Sequence, residues 1–300
     1  MAFKPANANS PRGDGERTYG PVVAPRDGSR KARVSLIVDM GVQEREDFED
    51  PDTGEKKPQR PIQQVAVFAD LTADTVDYGG TVGKAHYRML LNKSFMGVIQ
   101  GVSFAATPPK DAKGNTIQGK PWGLHPANLL SKLAKATGND SVIESMDIEQ
   151  LLNGAFMCQV EVKKTPDKNG KKDKDGNTIV YTNVNFKGAT LVPNQEDNEG
   201  NDIGPMPVPE LKTPALCITF DEAKKEDIKF IRAGLIKQIK LAKNYAGSKM
   251  EAAIKEYEAE QGTGSDDGDS TPAPAPKAAP KATTPKKPVP QDDMDDDVPF

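Results

Sequence analysis

Three hundred residues with 36% hydrophobic content, 26 Gly and 25 Pro can hold a sizeable core, yet leave long stretches outside it. The net charge of −4 belongs to the end of the chain. From residue 262 onward eight Asp face four Lys, which leaves residues 1–261 balanced at 36 acids and 36 bases. That balance excludes a global basic field, so an anionic polymer would have to be held by local clusters of Lys and Arg.

No run approaches 18 apolar residues, and the N-terminus lacks a hydrophobic signal region, so a soluble chain that stays in the cytoplasm is expected, with no membrane partner. Cys158 and Cys217 lie in apolar strand-like runs, AFMCQV and ALCITF, and only His86 and His125 accompany them. No zinc spacing results, so buried, reduced thiols are expected, with no metal and no other cofactor. Nothing in the sequence pairs a nucleophile with a base, so no enzymatic activity is expected.

In chain order, residues 1–30 are rich in Pro, Gly, Asn and Ser without apolar period and read as an N-terminal arm. Its Arg12, Arg17, Arg26 and Arg30, with Lys31, either touch phosphate or belong to a solvated leader. Residues 32–40 (ARVSLIVDM) read as a first strand, 61–71 (PIQQVAVFADL) as a second, and 75–80 with 86–98 as a third, broken at Gly79-Gly80. A long loop, 107–123, precedes a helix over 125–137, which opens near Pro126 and ends at Gly138.

Residues 146–153 read as a short helical turn, and 155–164 and 178–187 as two more strands joined by a Lys-, Asp- and Gly-rich loop. A polar stretch, 193–209, leads to a strand over 216–220. Ile228, Ile231, Leu235, Ile239 and Ala242 then recur at spacings of three and four, predicting one long helix over 227–245, followed by a helical piece at 249–260. Residues 261–290 form a Gly/Ser, then Ala/Pro/Lys linker with seven Pro between Thr271 and Pro290, and 291–300 an acidic tip. The expected body, 31–260, is mainly β with helices. Its order of three strands, a helix and two strands resembles an OB-fold, a five-stranded barrel to which a long C-terminal helix is added.

A single-strand binder needs aromatic faces for bases and cations for phosphates. The loop between the last two barrel strands supplies Lys163, Lys164, Lys168, Lys171, Lys172 and Lys174 against Asp167, Asp173 and Asp175. It is either a phosphate-binding patch or a solvated hairpin tip. The 107–123 loop combines Lys110, Lys113 and Lys120 with Trp122, the single Trp of the chain. Trp122 either stacks a base or packs beneath the following helix. Tyr87 and Arg88, with Lys93 and Phe95, form a third cluster. On the fifth strand Tyr181 and Phe186 face opposite ways, and Tyr181 is the better base platform because its hydroxyl tolerates water. Two decoys fail. GNTIQGK at 114–120 has Pro121 where a phosphate loop needs Ser or Thr, and the DKDG run at 173–176 lacks the end ligands of a calcium loop.

The last ten residues read QDDMDDDVPF. Asp292, Asp293, Asp295, Asp296 and Asp297 precede Val298, Pro299 and Phe300, an acidic ribbon that finishes in one ring and an α-carboxylate. This tip resembles the acidic end of bacterial single-stranded DNA-binding proteins (SSBs). The Phe230-Ile231-Arg232 and 244–248 pieces resemble segments of phage replication-type SSBs. The resemblance implies a phage protein of the host cytoplasm that binds single-stranded DNA without sequence preference in replication, recombination and repair. It also implies that replication and recombination proteins are recruited through the tip, by a pocket for the ring and cations for the carboxylates. Two other readings remain open, an adaptor that imitates such a tip without binding DNA and a strand-annealing recombination protein. The sequence leaves the oligomeric state open, a homo-oligomer included.

Overall fold

The computed structural model describes residues 24–45, 47–77, 84–95, 98–109, 115–167, 170, 172, 176–178 and 180–261. The chain divides into Met1–Thr263 and Gly264–Phe300, and every described residue belongs to the first unit. Most of the arm (1–23), the linker beyond 261 and the acidic tip lie outside the described residues.

The chain begins with β1 (Gly28–Gln43), which starts inside the stretch read as an arm. The small hairpin β2 (Phe48–Glu49) and β3 (Lys56–Lys57) follows, then β4 (Ile62–Asp77) and β5 (Lys84–Leu90). Short strands β6 (Ser94–Phe95), β7 (Val98–Ile99) and β8 (Val102–Ser103) come next, then α1 (Leu129–Thr137), α2 (Ser141–Ser145) and a 3-10 turn at Ile148–Leu151. After them run β9 (Ala155–Pro166), β10 (Val180–Thr190), β11 (Asn194–Glu196), β12 (Asp202–Pro205) and β13 (Leu216–Ile218). Three helices close the described chain, α3 (Lys225–Ile228), α4 (Ala233–Ile239) and α5 (Lys249–Gln261).

The long strands form one antiparallel sheet in the order β10-β9-β1-β4-β5. On one edge of β1, β9 pairs with Gly28 to Arg33, and β13 then takes over in parallel from Leu36↔Leu216 to Val38↔Ile218. The other edge of β1 is paired with β4. The outer strands β5 and β10 approach within 8 Å between Cα atoms without pairing, so no closed barrel forms among the described residues. The protein is a mixed α and β structure, mostly β.

β1 is buried on both faces, which is why it reads as a near-continuous apolar run rather than a clean alternation. Ala32, Val34 and Ile37 join a core with Leu130 and Leu133 of α1, Val142 of α2 and Leu151. Leu36, Val38 and Met40 join a second core with Ile228 of α3, Leu235 and Ile239 of α4, and Ile254 of α5. A register shift between Val34 and Leu36 reverses the alternation, so Ile37 joins Ala32 and Val34 on one face while Leu36 turns to the other. We call these the α1 face and the α4 face.

Three expectations need correction. Thr75 to Asp77 belong to the second long strand, because a bulge after Leu71 lets β4 resume pairing with β5 at Thr75↔His86. The helix at 125–137 starts at Leu129, where the Asn128 side chain accepts the Leu130 N–H. The stretch 227–245 is not one helix. Arg232 is extended (φ −67°, ψ 142°), separating α3 from α4, and 240–245 are turns. Ile228, Ile231, Leu235, Ile239 and Ala242 are all buried as the period predicts. A straight helix of that length would run about 28 Å and carry its ends off the sheet. Broken, the segment keeps its apolar stripe on the sheet, and α5 packs back on α3 through Lys225, which meets Glu260 at 2.6 Å and Glu256 at 3.4 Å.

Candidate nucleic-acid interface

Alternation along β9 sorts its cations. Phe156, Cys158 and Val160 enter the α1-face core, so Glu161 and Lys163 point to the other side while Lys164 takes the first. Glu161 meets Lys187 at 3.1 Å and Lys163 at 3.2 Å, and these two ammonium groups, Lys187 first, hold its carboxyl below the usual range. Lys163 is therefore partly neutralised, while Lys164 and Lys172 are exposed. Lys172 bridges to Thr178, which closes the hairpin between β9 and β10. Lys168, Lys171 and Lys174 lie outside the described residues.

The loop before α1 is pinned at its end. Thr107 and Gly123 pair, and Leu124 donates its N–H to the Ile143 carbonyl at 2.7 Å. Gly123 is buried so close to that carbonyl that a Cβ there would lie 2.2 Å from it. Leu124 fills the core place beneath the helix. Trp122 consequently turns outward and is 61% exposed, with Lys120 exposed beside it in sequence. Of the two readings of Trp122, packing beneath α1 is thus overturned. Lys110 and Lys113 lie outside the described residues.

The third cluster does not assemble among its described side chains, and that of Phe95 lies outside them. Tyr87 packs against the α1-face core, whereas Arg88, next along β5, faces the α4 side. There its Nε meets Asp70 Oδ1 at 2.7 Å and its Nη2 meets Oδ2 at 3.2 Å, and Ser35 Oγ also donates to Oδ1 at 2.7 Å. Arg88 is only 10% exposed. Lys93 is exposed beyond the end of the strand. Phe186 packs against the α1-face core with Val184, while the Tyr181 side chain lies outside the described residues. The Phe230 and 244–248 pieces serve the fold. Arg232 lies over the Phe68 ring, 5.3 Å from its centre to the guanidinium carbon, and Asn244 accepts the Val42 N–H at 2.8 Å.

Sequence reasoning named Lys31 only alongside the cations of the N-terminal arm and missed Arg33 altogether. Both lie on the α4 side of β1 beneath residues 207–210, a segment with no apolar period to announce it. Lys31 Nζ donates to the Pro207 carbonyl at 2.8 Å. Arg33 reaches the Pro209 and Val208 carbonyls, each at 3.0 Å, and Glu210 Oε1 at 2.8 Å.

A cavity of about 200 Å³ lies elsewhere, lined by Asp39, Gln63, Asp147, Glu149, Phe104 and Cys217 among others. Burial pushes the Asp39 carboxyl up, although the Gly41 N–H and Gln63 both donate to it. A lining so rich in carboxylates repels phosphate. Cys158 and Cys217 are free thiols, each pushed up to about 12 chiefly by burial, which removes thiolate reactivity. Among the described residues no group of three His, Cys, Asp or Glu is placed to hold a metal, and no helix is long and apolar enough to cross a membrane. Compared with known protein families, curated proteins and solved structures, the chain shows no match.

Proposed function

We propose that this protein binds single-stranded DNA without sequence preference, as a non-enzymatic SSB of phage replication, recombination and repair that recruits replication proteins through Asp292 to Phe300. The observation that carries the reading is the outward Trp122 beside Lys120, an indole held at the surface by a loop whose neighbouring residue fills the core. A ring so exposed is open to stack on a base, and stacking tolerates any base. Lys164 and Lys172 supply exposed cations on a body that is otherwise charge-balanced.

The strand order supports the same reading. Taken by rank among the five long strands, β10-β9-β1-β4-β5 is 5-4-1-2-3 with α1 between the third and fourth. That is the order expected of an OB-type sheet left open between its third and fifth strands. The acidic tip with its Val-Pro-Phe end adds the resemblance drawn from sequence.

Anisotropy of labelled oligo-dT titrated with the full chain at several salt concentrations tests the proposal. Binding should weaken with salt, with a slope of about −0.7 per phosphate contacted. Trp122→Ala should weaken it about 5- to 150-fold, the equivalent of roughly 1–3 kcal/mol of stacking. A folded protein that binds no oligo-dT at low salt would sink this reading and leave the adaptor.

A further inference from the structure

Residues 205–214, PMPVPELKTP, run from the end of β12 toward β13 and cross the α4 side of the sheet without pairing with it. Pro205, Pro207, Pro209 and Pro214 have no N–H to give to a ladder. The segment meets the sheet through its acceptors instead. Pro207, Val208 and Pro209 offer their carbonyls and Glu210 its carboxylate, so four consecutive residues place four oxygens on Lys31 and Arg33. At the far end Arg88 Nη2 donates to Thr213 Oγ1 at 3.2 Å.

Lys31 and Arg33 are alternate residues on one side of β1, about 7 Å apart, the order of one step along an extended nucleotide backbone. A guanidinium that presents two N–H groups in a plane suits a phosphodiester as well as it suits these carbonyls. We propose that Lys31 and Arg33 are a phosphodiester-binding pair, kept filled by residues 207–210, and that single-stranded nucleic acid binds there by displacing this strap. The inference rests on the single-strand-binding reading above and names a phosphate site that reading left open.

The exchange is balanced, because each hydrogen bond given up to the strap is replaced by one to a phosphate, so no cation is left buried and unpaired. It also favours the nucleic acid. The strap brings one formal charge to two cations, whereas consecutive phosphodiesters bring one each. The Glu210 side chain is 75% exposed, so its carboxylate returns to water with little change in hydration. The Arg33 guanidinium stays oriented after the strap leaves, because its Nη1 also donates to the Asn153 carbonyl at 2.8 Å.

Two variants of the full chain, read by oligo-dT anisotropy, attack the contact from its two sides. Glu210→Gln removes the charged competitor and should tighten binding about threefold or more. Lys31→Ala removes a phosphate ligand and should weaken it by a similar factor, lowering the salt slope by about 0.7. In wild type, oligo-dT should also speed cleavage after Glu210 by a glutamate-specific protease. If wild type binds but Glu210→Gln does not tighten and cleavage is unchanged, the strap is a fixed clamp and the proposal is overturned. If the folded wild type binds no oligo-dT, the single-strand-binding reading falls and this inference with it.

Discussion

Asp70 and Arg88 illustrate how a residue's neighbours decide whether its charge faces outward. The Asp70 side chain is 2% exposed, and its two oxygens receive Arg88 in a two-bond fork plus the Ser35 hydroxyl. Removing one member of such a buried pair strands the other charge, which costs roughly 3–5 kcal/mol, whereas replacing both with apolar groups is often neutral. Arg88→Met should therefore lower stability by about that amount in urea unfolding, and the Arg88→Met, Asp70→Leu double variant by much less. Equal losses in the two variants would show that the pair is not the unit of stabilisation. His86, close by, carries a pH signature. Burial is the first cause that lowers its pKa from 6.5, with Lys212 acting the same way and Asp70 opposing both. Its folded-state value is thus below its unfolded one, so its contribution is complete above pH 6.5 and is lost as pH falls below that value. His86→Gln should lose less stability than wild type on moving from about pH 7.5 to about pH 5.5. Parallel declines in the two proteins would exclude His86 as the source.

At the scale of elements, the end of β1 is where the C-terminal segment docks, and Gly41 makes the docking possible. Gly41 has φ +74°, and a Cβ there would lie 2.5 Å from Phe220 Cζ and 2.6 Å from both Ala242 Cβ and Asn244 Oδ1. Gly41→Ala combines left-handed strain with overpacking and should cost about 2–5 kcal/mol. Gly54 also has positive φ, at +68°, but open space around it, so Gly54→Ala should cost only about 1 kcal/mol. Thermal unfolding of the two variants decides the matter, and similar losses would refute the steric account. This docking also marks what sequence could and could not show. Periodicity identified the buried side chains of 228–242, because an apolar stripe is a property of spacing, but not the breaks at Arg232 and after Ile239, which answer to the sheet beneath. The five long strands were legible from β-branched runs. The strap was not, because an extended, Pro-rich segment held by side chains 175 residues or more away in sequence has no local signal. Trp122 was legible as a candidate, but its outward orientation follows only from the position of Leu124 in the core.

Across the whole molecule, one sheet supports two cores that lie on opposite faces and draw on adjacent residues of the same strands. Ile37 and Val67 serve the α1 face while Leu36, Val38, Ala66 and Phe68 serve the α4 face. Neither core can be lost while the other keeps its sheet, since β1 and β4 would have to remain ordered with one apolar face in water. The described body should therefore unfold as one cooperative unit. Leu133→Ala empties space in the α1-face core and Leu235→Ala in the α4-face core, and each should cost roughly 2–5 kcal/mol. Both should shift a single urea transition that far-UV circular dichroism and hydrogen exchange in α5 report at the same midpoint. Were Leu235→Ala to release α5 at a lower midpoint while the sheet signal held, the C-terminal helices would be a separable layer.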